Sequence, residues 1–208
     1  MRFPLTHHGT RELILYGAIL LLALALALKF FWPVAIVPFL LLAFLVSFFR
    51  DPERTPPEGP AAAVAPADGK VVDIEVVEEP HFIKGRALRI GIFLSVFNVH
   101  VNRIPLDGRV TGMMYSPGKF LDVRDPRCVE LNEANLVGFE GPRGPFAIRH
   151  IAGRIARKIV WPLREGDEVV RGQRAGMIKF GSRTELFVPA EADVETVVEI
   201  GQTVHGAR

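Results

Sequence analysis

From Leu13 to Leu28 the chain reads LILYGAILLLALALAL without a charge, and after Lys29 it is again uncharged from Phe30 to Phe49 (FFWPVAIVPFLLLAFLVSFF). Nothing else in the sequence restricts the fold as much. One straight helix over both runs would be about 55 Å long at ~1.5 Å per residue, far beyond a hydrocarbon core of about 30 Å. Lys29, Trp32 and Pro33 at the midpoint supply a snorkelling cation, an interfacial ring and a helix breaker, which together make a turn at the far headgroup layer. Residues 1–50 are therefore expected to form a membrane-anchoring helical hairpin, with helices near 13–28 and 33–49, short enough to be partly re-entrant. Arg2 and Arg11 then share a side with Arg50 and Arg54, which the positive-inside rule assigns to the cytoplasmic face of the inner membrane. A secretory signal peptide is the competing reading, because the basic start and the Ala-Leu-Ala repeats near Leu24 imitate one. Cleavage there would still leave Phe30 to Phe49 as an anchor.

The chain is long enough for one domain besides this anchor. Its 49% hydrophobic against 23% charged residues exclude disorder. Of 25 basic and 23 acidic residues, five and three lie before residue 55, so the remainder is balanced and carries no basic stripe suited to nucleic acid. The single cysteine, Cys128, permits neither an internal disulfide nor a multi-thiolate metal site. Residues 51–66 (DPERTPPEGPAAAVAP) hold five prolines and read as a stiff linker. From about residue 64 to 208 come short β-branched runs broken by glycine: VVDIEVV, ALRIGIFLSVF, GRVTGMMY, PFAIRHIAG, EVVRG, RAGMIKF, TELFVP and VETVVEI. This predicts a mostly β, compact antiparallel domain, with helical turns only near Gly153 to Ile159. LREGDEVVRGQRAG and VEIGQTVHGAR resemble each other, as paired halves do in barrel-sandwich folds of the lipoyl type.

No GxGxxG, P-loop, HExxH, CxxC or GxSxG motif is present, and no two of the six histidines lie at ligand spacing within the folded part, so no metal site is expected. Three patches could carry chemistry. Taken singly, Asp68-Gly69 is a turn before a strand, His100 a core residue among valines, and Gly181-Ser182 a hairpin turn.

Together and in this order, Pro66-Ala67-Asp68-Gly69-Lys70, His100 before the xxRxPxxG of FNVHVNRIPLDG, and Gly181-Ser182 resemble the phosphatidylserine decarboxylase family, in its short, membrane-anchored bacterial form. LNEAN at Leu131 to Asn135 and IAGRIARKIV at Ile151 to Val160 add to the likeness, which runs from about Arg50 to Arg208. The resemblance implies that the chain cuts itself between Gly181 and Ser182. The Ser182 hydroxyl attacks the Gly181 carbonyl to give an ester, elimination expels the upstream chain, and hydrolysis leaves a pyruvoyl group as covalent cofactor. Met1 to Gly181 and the residues 182–208 would stay associated as each other's partners. The pyruvoyl ketone would form a Schiff base with the amine of phosphatidylserine and draw carbon dioxide off it, leaving phosphatidylethanolamine. His100, with an ordinary pKa near about 6.5, is the implied proton donor, and Asp68 the acidic residue tied to self-cleavage. The family's second histidine, three residues after the first, is Arg103 here. Arginine cannot act as a base, so Arg103, with neighbouring Asn102, is expected instead to bind the substrate's carboxylate or phosphate or the ester's oxyanion. Arg183 stands where the family usually has threonine or serine. A second copy of the chain remains an open partner. Two rivals stay beside this reading: a non-catalytic, membrane-anchored lipoyl-like adaptor, and a hydrolase using Ser182 and His100 directly as nucleophile and base.

Overall fold

The computed structural model describes residues 5–59, 63–154, 159–179, 181–191 and 195–208, and the chain divides into two compact units, Met1–Glu53 and Arg54–Arg208. In the first, the alternating leucines and alanines, good helix formers, give α1 (Thr10–Phe30). It ends at Phe31, and Pro33 sits in a 3-10 turn over Trp32–Ala35 from which the shorter α2 (Ile36–Phe48) departs. The two form a hairpin-like pair closed at its open end, where Leu5 bridges Arg50 and the Thr6 N–H donates to the Phe49 carbonyl at 2.9 Å. Gly9 is needed there because a Cβ would lie 2.0 Å from the Phe49 ring. The stretch His7–Phe30 is long and apolar enough to cross a membrane, with a mean hydropathy of 2.4. Trp32–Phe48, at 17 residues or roughly 25 Å of helix, is short of a full crossing.

The second unit is built from β1 (Gly69–Glu79), β2 (Gly85–Leu94), β3 (Val101–Arg103), β4 (Gly108–Ser116), β5 (Ala134–Gly141), β6 (Gly144–Ala152), β7 (Ile159–Val160), β8 (Glu168–Val169), β9 (Arg174–Ile178), β10 (Ser182–Pro189) and β11 (Thr203–Val204). Eight of these make one curled antiparallel sheet in the order β11-β1-β2-β10-β6-β5-β4-β8, and β3-β9-β7 make a smaller one. The expected mostly β, antiparallel domain is therefore present, and most of the β-branched runs became strands. Two local expectations change. In VETVVEI, Glu195 to Glu199 has no regular structure and Val197 is 81% exposed. Its alternating pattern found no partner strand, because β11 takes the place beside β1. Gly181-Ser182 is not a hairpin turn, since β9 and β10 belong to different sheets and Gly181 leads straight into β10. The turns expected near Gly153 to Ile159 fall partly outside the described residues.

The resemblance between the two glycine-rich phrases proves to be one part of a larger internal repeat. Gly166 and Gly201 both have positive φ, 92° and 94°, and each begins a turn two residues before a two-residue strand. Their N–H groups donate to Val110 and Val71 respectively, each at 2.8 Å, and Val110 and Val71 donate back to Asp167 and Gln202, each at 2.9 Å. The chain segments receiving these turns match as well: Pro66-Ala67-Asp68-Gly69-Lys70-Val71 against Pro105-Leu106-Asp107-Gly108-Arg109-Val110. Asp68 accepts from the Gly206 N–H and Asp107 from the Arg171 N–H. The two outer ends of the large sheet are thus closed by the same device.

At its centre lies β10, paired over its length with β2 on one side and over six residues with β6 on the other. Leu186 and Val188 of this strand enter a core with Ile104, Val110, Val137, Phe139, Phe146 and Ile148, in which the Phe139 and Phe146 rings stack at 4.6 Å.

Candidate active site

Three strand ends meet where β10 begins. Ser182, its first residue, is fully buried and lies opposite Leu94, the last residue of β2, and Ala152, the last of β6. Among the described residues its hydroxyl has no hydrogen-bond partner. A buried hydroxyl left unengaged is costly, and it leaves an oxygen lone pair free next to the Gly181 carbonyl to which the residue is bonded. Gly181 has φ +63°, a left-handed conformation that glycine adopts without penalty.

His100 stands just before β3 and is fully buried. Its Nδ1 lies 2.9 Å from the Asn98 carbonyl oxygen, and its Nε2 accepts from the Gly181 N–H at 3.3 Å. Only the tautomer protonated on Nδ1 satisfies both contacts, so the Nε2 lone pair is engaged by the backbone N–H of Gly181, the residue on the acyl side of the Gly181-Ser182 bond. Two residues on, Asn102 donates from Nδ2 to the His100 carbonyl at 3.2 Å and accepts on Oδ1 from the Thr184 hydroxyl at 2.8 Å. Asn102 therefore couples the histidine segment to β10. Of the residues the sequence singled out, Ser182, His100, Asp68, Arg103 and Asn102 with the junction residue Gly181, the structure brings His100, Asn102, Gly181 and Ser182 to one place.

Arg103 and Asp68 lie among other partners. Arg103 is buried and donates from a guanidinium nitrogen to the Gly172 carbonyl at 3.2 Å, while its backbone N–H donates to Pro66 at 2.8 Å. Asp68 receives a bidentate clasp from Arg54, one arm at 2.7 Å, together with the Gly206 N–H at 2.9 Å and the His205 ring at 3.3 Å. Burial alone would raise the Asp68 carboxyl, but Arg54, the Gly206 N–H and His205 outweigh it and hold it below the usual carboxylate range. Among the described residues none of its hydrogen bonds reaches His100, Gly181 or Ser182.

Sequence reasoning passed over several residues that shape this place. Thr184 and Asn98 act through contacts that no local pattern announces. Gly153 follows β6, and a Cβ built on it would sit 2.2 Å from the Gly181 carbonyl oxygen. Only a bare glycine lets that carbonyl stand where it does. We expect Gly153→Ala to push the carbonyl aside and slow any cutting of the 181–182 bond by roughly a hundredfold, since misplacement by about 1 Å has that order of effect. The fraction of cut chain over time on denaturing gels is the measure, and wild-type kinetics would show that the close approach is unimportant.

On the opposite face of β10, Arg183 and Glu185 enter an ion network. Glu185, fully buried, lies 2.7 Å from Arg149 and 2.7 Å from Arg183, which in turn lies 2.6 Å from Asp73, while Arg89 approaches Glu185 at 3.8 Å. Gly91 leaves room for it, for a Cβ there would meet the Arg183 guanidinium at 2.6 Å. Arg183 thus points away from Ser182 and secures the strand.

Comparison with known proteins bears on the same segment. The family model described as phosphatidylserine decarboxylase matches residues 41–208. The chain is 46% identical to the phosphatidylserine decarboxylase proenzyme of Carboxydothermus hydrogenoformans over 180 residues, which cover 86% of this chain and 84% of that protein. It is also 46% identical to those of Rhodopirellula baltica, covering 97% and 84% of the two chains, and Symbiobacterium thermophilum, covering 91% and 90%. With most of both partners aligned at this identity, the chain belongs to the phosphatidylserine decarboxylase family.

Proposed function

We propose that this chain cuts itself between Gly181 and Ser182, converts Ser182 into a pyruvoyl group, and decarboxylates phosphatidylserine to phosphatidylethanolamine at a membrane surface. The observation that carries the reading is the Gly181-Ser182 peptide at the head of β10, with the His100 Nε2 on its glycine N–H and the serine hydroxyl unengaged. The relatives' description as proenzymes supports processing, and neither the adaptor nor the plain hydrolase accounts for it.

The glycine-serine junction, with its glycine in the left-handed region and its serine buried, fits the conversion. The hydroxyl attacks the Gly181 carbonyl carbon, the peptide C–N bond gives way to an ester, and elimination releases residue 181 as a carboxylate and leaves dehydroalanine at 182. Its imine tautomer takes up water and loses ammonia. The ketone left at position 182 supplies an electron-withdrawing carbonyl that no ordinary side chain offers. Before cutting, the Gly181 N–H occupies the His100 Nε2. Once residue 181 is a chain end it can withdraw its N–H, and that lone pair then becomes available for proton transfer, while the Asn98 carbonyl keeps the ring oriented. Asn102 holds Thr184 and with it the register of β10. Arg103, a permanent cation one residue from Asn102 whose side chain donates to Gly172, is suited by its chemistry to an anionic group of the substrate and not to base chemistry. Residues 1–50 would anchor the chain, 51–66 serve as linker, and 64–208 act on lipid at the cytoplasmic face, confining enzyme and substrate to one surface.

Denaturing electrophoresis tests the reading. Active protein should run as two polypeptides, the smaller beginning at residue 182 with a blocked amino end, whereas an adaptor or a plain serine hydrolase would run as one. His100→Ala should still be cut at least in part but lose a hundredfold or more in turnover, the usual worth of a positioned proton donor. Unimpaired turnover in that variant would take His100 out of the mechanism.

A further inference from the structure

Residues directly opposite in antiparallel pairs share a face, and one row of such pairs crosses four strands beside the cleavage point. Tyr115 lies opposite Asn135, Asn135 opposite His150, and His150 opposite Thr184. Ser182 and its partner Ala152 occupy the next row on the same face, two residues along. The outer end of the row opens into a cleft of about 340 Å³ lined by Met113, Tyr115, Glu133, Asn135, Ile159 and Trp161. Next along the row, behind Asn135, is His150, only 1% exposed, with its ring 5.0 Å from that of Trp161 in the cleft wall. Among the described residues neither ring nitrogen of His150 nor the Trp161 Nε1 has a hydrogen-bond partner. Three unpaired polar atoms, one on a residue lining the cleft and two on the ring packed against it, are a site awaiting a ligand.

We propose that His150, helped by Trp161, forms the subsite that grips the carboxylate of the substrate's serine headgroup and sets the direction in which carbon dioxide leaves. This inference rests on the decarboxylase reading above. Diagonal neighbours on an antiparallel pair have Cβ atoms about 7 Å apart, so a carboxylate hydrogen-bonded to the imidazole lies within reach of an amine held at position 182. The bond to the carboxylate breaks with its electron pair staying on carbon, and it breaks fastest when aligned with the acceptor orbitals. A donor on the sheet face fixes that alignment.

The chemistry of the donor matters too. Burial with no compensating partner lowers the His150 pKa to about 3, so the ring is neutral at working pH. An arginine here would bind the carboxylate most tightly before its charge leaves, which stabilises the ground state over the transition state. A neutral imidazole and an indole N–H orient the group without that cost. Glu133, at the cleft's mouth, favours entry of the ammonium end of the headgroup.

The test uses the full chain in detergent, with phosphatidylserine in mixed micelles. His150→Leu should be cut as fast as the unsubstituted chain and keep its thermal midpoint, yet show a KM for phosphatidylserine raised roughly ten- to hundredfold, the range for losing a hydrogen bond to a charged group. Inhibition by phosphatidylethanolamine, which lacks the carboxylate, should not change, and His150→Gln should restore most of the affinity. An unaltered KM in both variants, or equal weakening of both lipids, overturns the proposal. Failure of the unsubstituted chain to cut itself would instead sink the decarboxylase reading.

Discussion

Ser182→Ala is expected to leave a single uncut chain of 23.0 kDa with turnover at background. The hydroxyl is the attacking group in the proposed cut, carried on the Cβ of the very residue whose nitrogen Gly181 acylates. The substitution keeps the Cβ and the backbone pairing to Leu94 and Ala152, so the register of β10 survives. It removes a buried oxygen that has no partner among the described residues, and replacing such a group by an apolar one is neutral or stabilising. The variant should therefore be fully folded, with an unchanged or slightly raised thermal midpoint. Loss of activity through unfolding is then excluded by the same sample. Intact mass and a decarboxylation assay decide the matter, and normal carbon dioxide release from an uncut variant would end the pyruvoyl account.

Glu185→Gln should have the largest effect on stability. The carboxylate is fully buried among Arg149, Arg183 and Arg89. Neutralising it leaves buried guanidinium groups short of an anion, a change that costs about 3–5 kcal/mol. In a unit of this size each kcal/mol moves the midpoint by about 2–4 °C, so a fall of roughly 10 °C is expected. The consequence would be sharper after the proposed cut, because β10 would then belong to a short fragment held only by noncovalent contacts: strand pairing, core packing and this network. On size exclusion that fragment should separate from the large chain in the variant and co-elute with it in the unsubstituted protein. A midpoint within about 2 °C of the original would show that the network contributes little.

How much of this was readable beforehand depends on the range of the interaction. Strands built from β-branched runs between glycines were legible, because propensity and turn chemistry act locally. VETVVEI carried the same signal and failed, since an alternating run needs a free edge to pair with and β11 occupies that place. Asp68, His100 and Gly181-Ser182 were singled out as an ordered set, not through any one spacing, and the structure sets His100 beside Gly181 but holds Asp68 among other partners. Arg54 was read only as a charge flanking the membrane, whereas its side chain reaches back to Asp68. The repeat of Pro66–Val71 in Pro105–Val110 was visible in the letters but too short to stand out until the matching hydrogen bonds drew attention to it. His150 and Gly153 could not have been picked out. Their meaning depends on register, on which residue of β10 each faces, and register is fixed by the whole sheet.

The turn that closes the repeat at the sheet's outer end also ties Arg208 to the start of the same unit. Ala65 donates to the Arg208 carbonyl at 3.1 Å, and Ala207 donates back to Ala65 at 2.9 Å. The folded polypeptide from Ala65 onward is thus nearly a closed ring, stitched where its ends meet. The proposed opening between 181 and 182 would act as a natural circular permutation: the segments around Ala65 and Arg208 would stay joined, and a fresh terminus would appear in the middle of the sheet, where a free chain end is otherwise hardest to place.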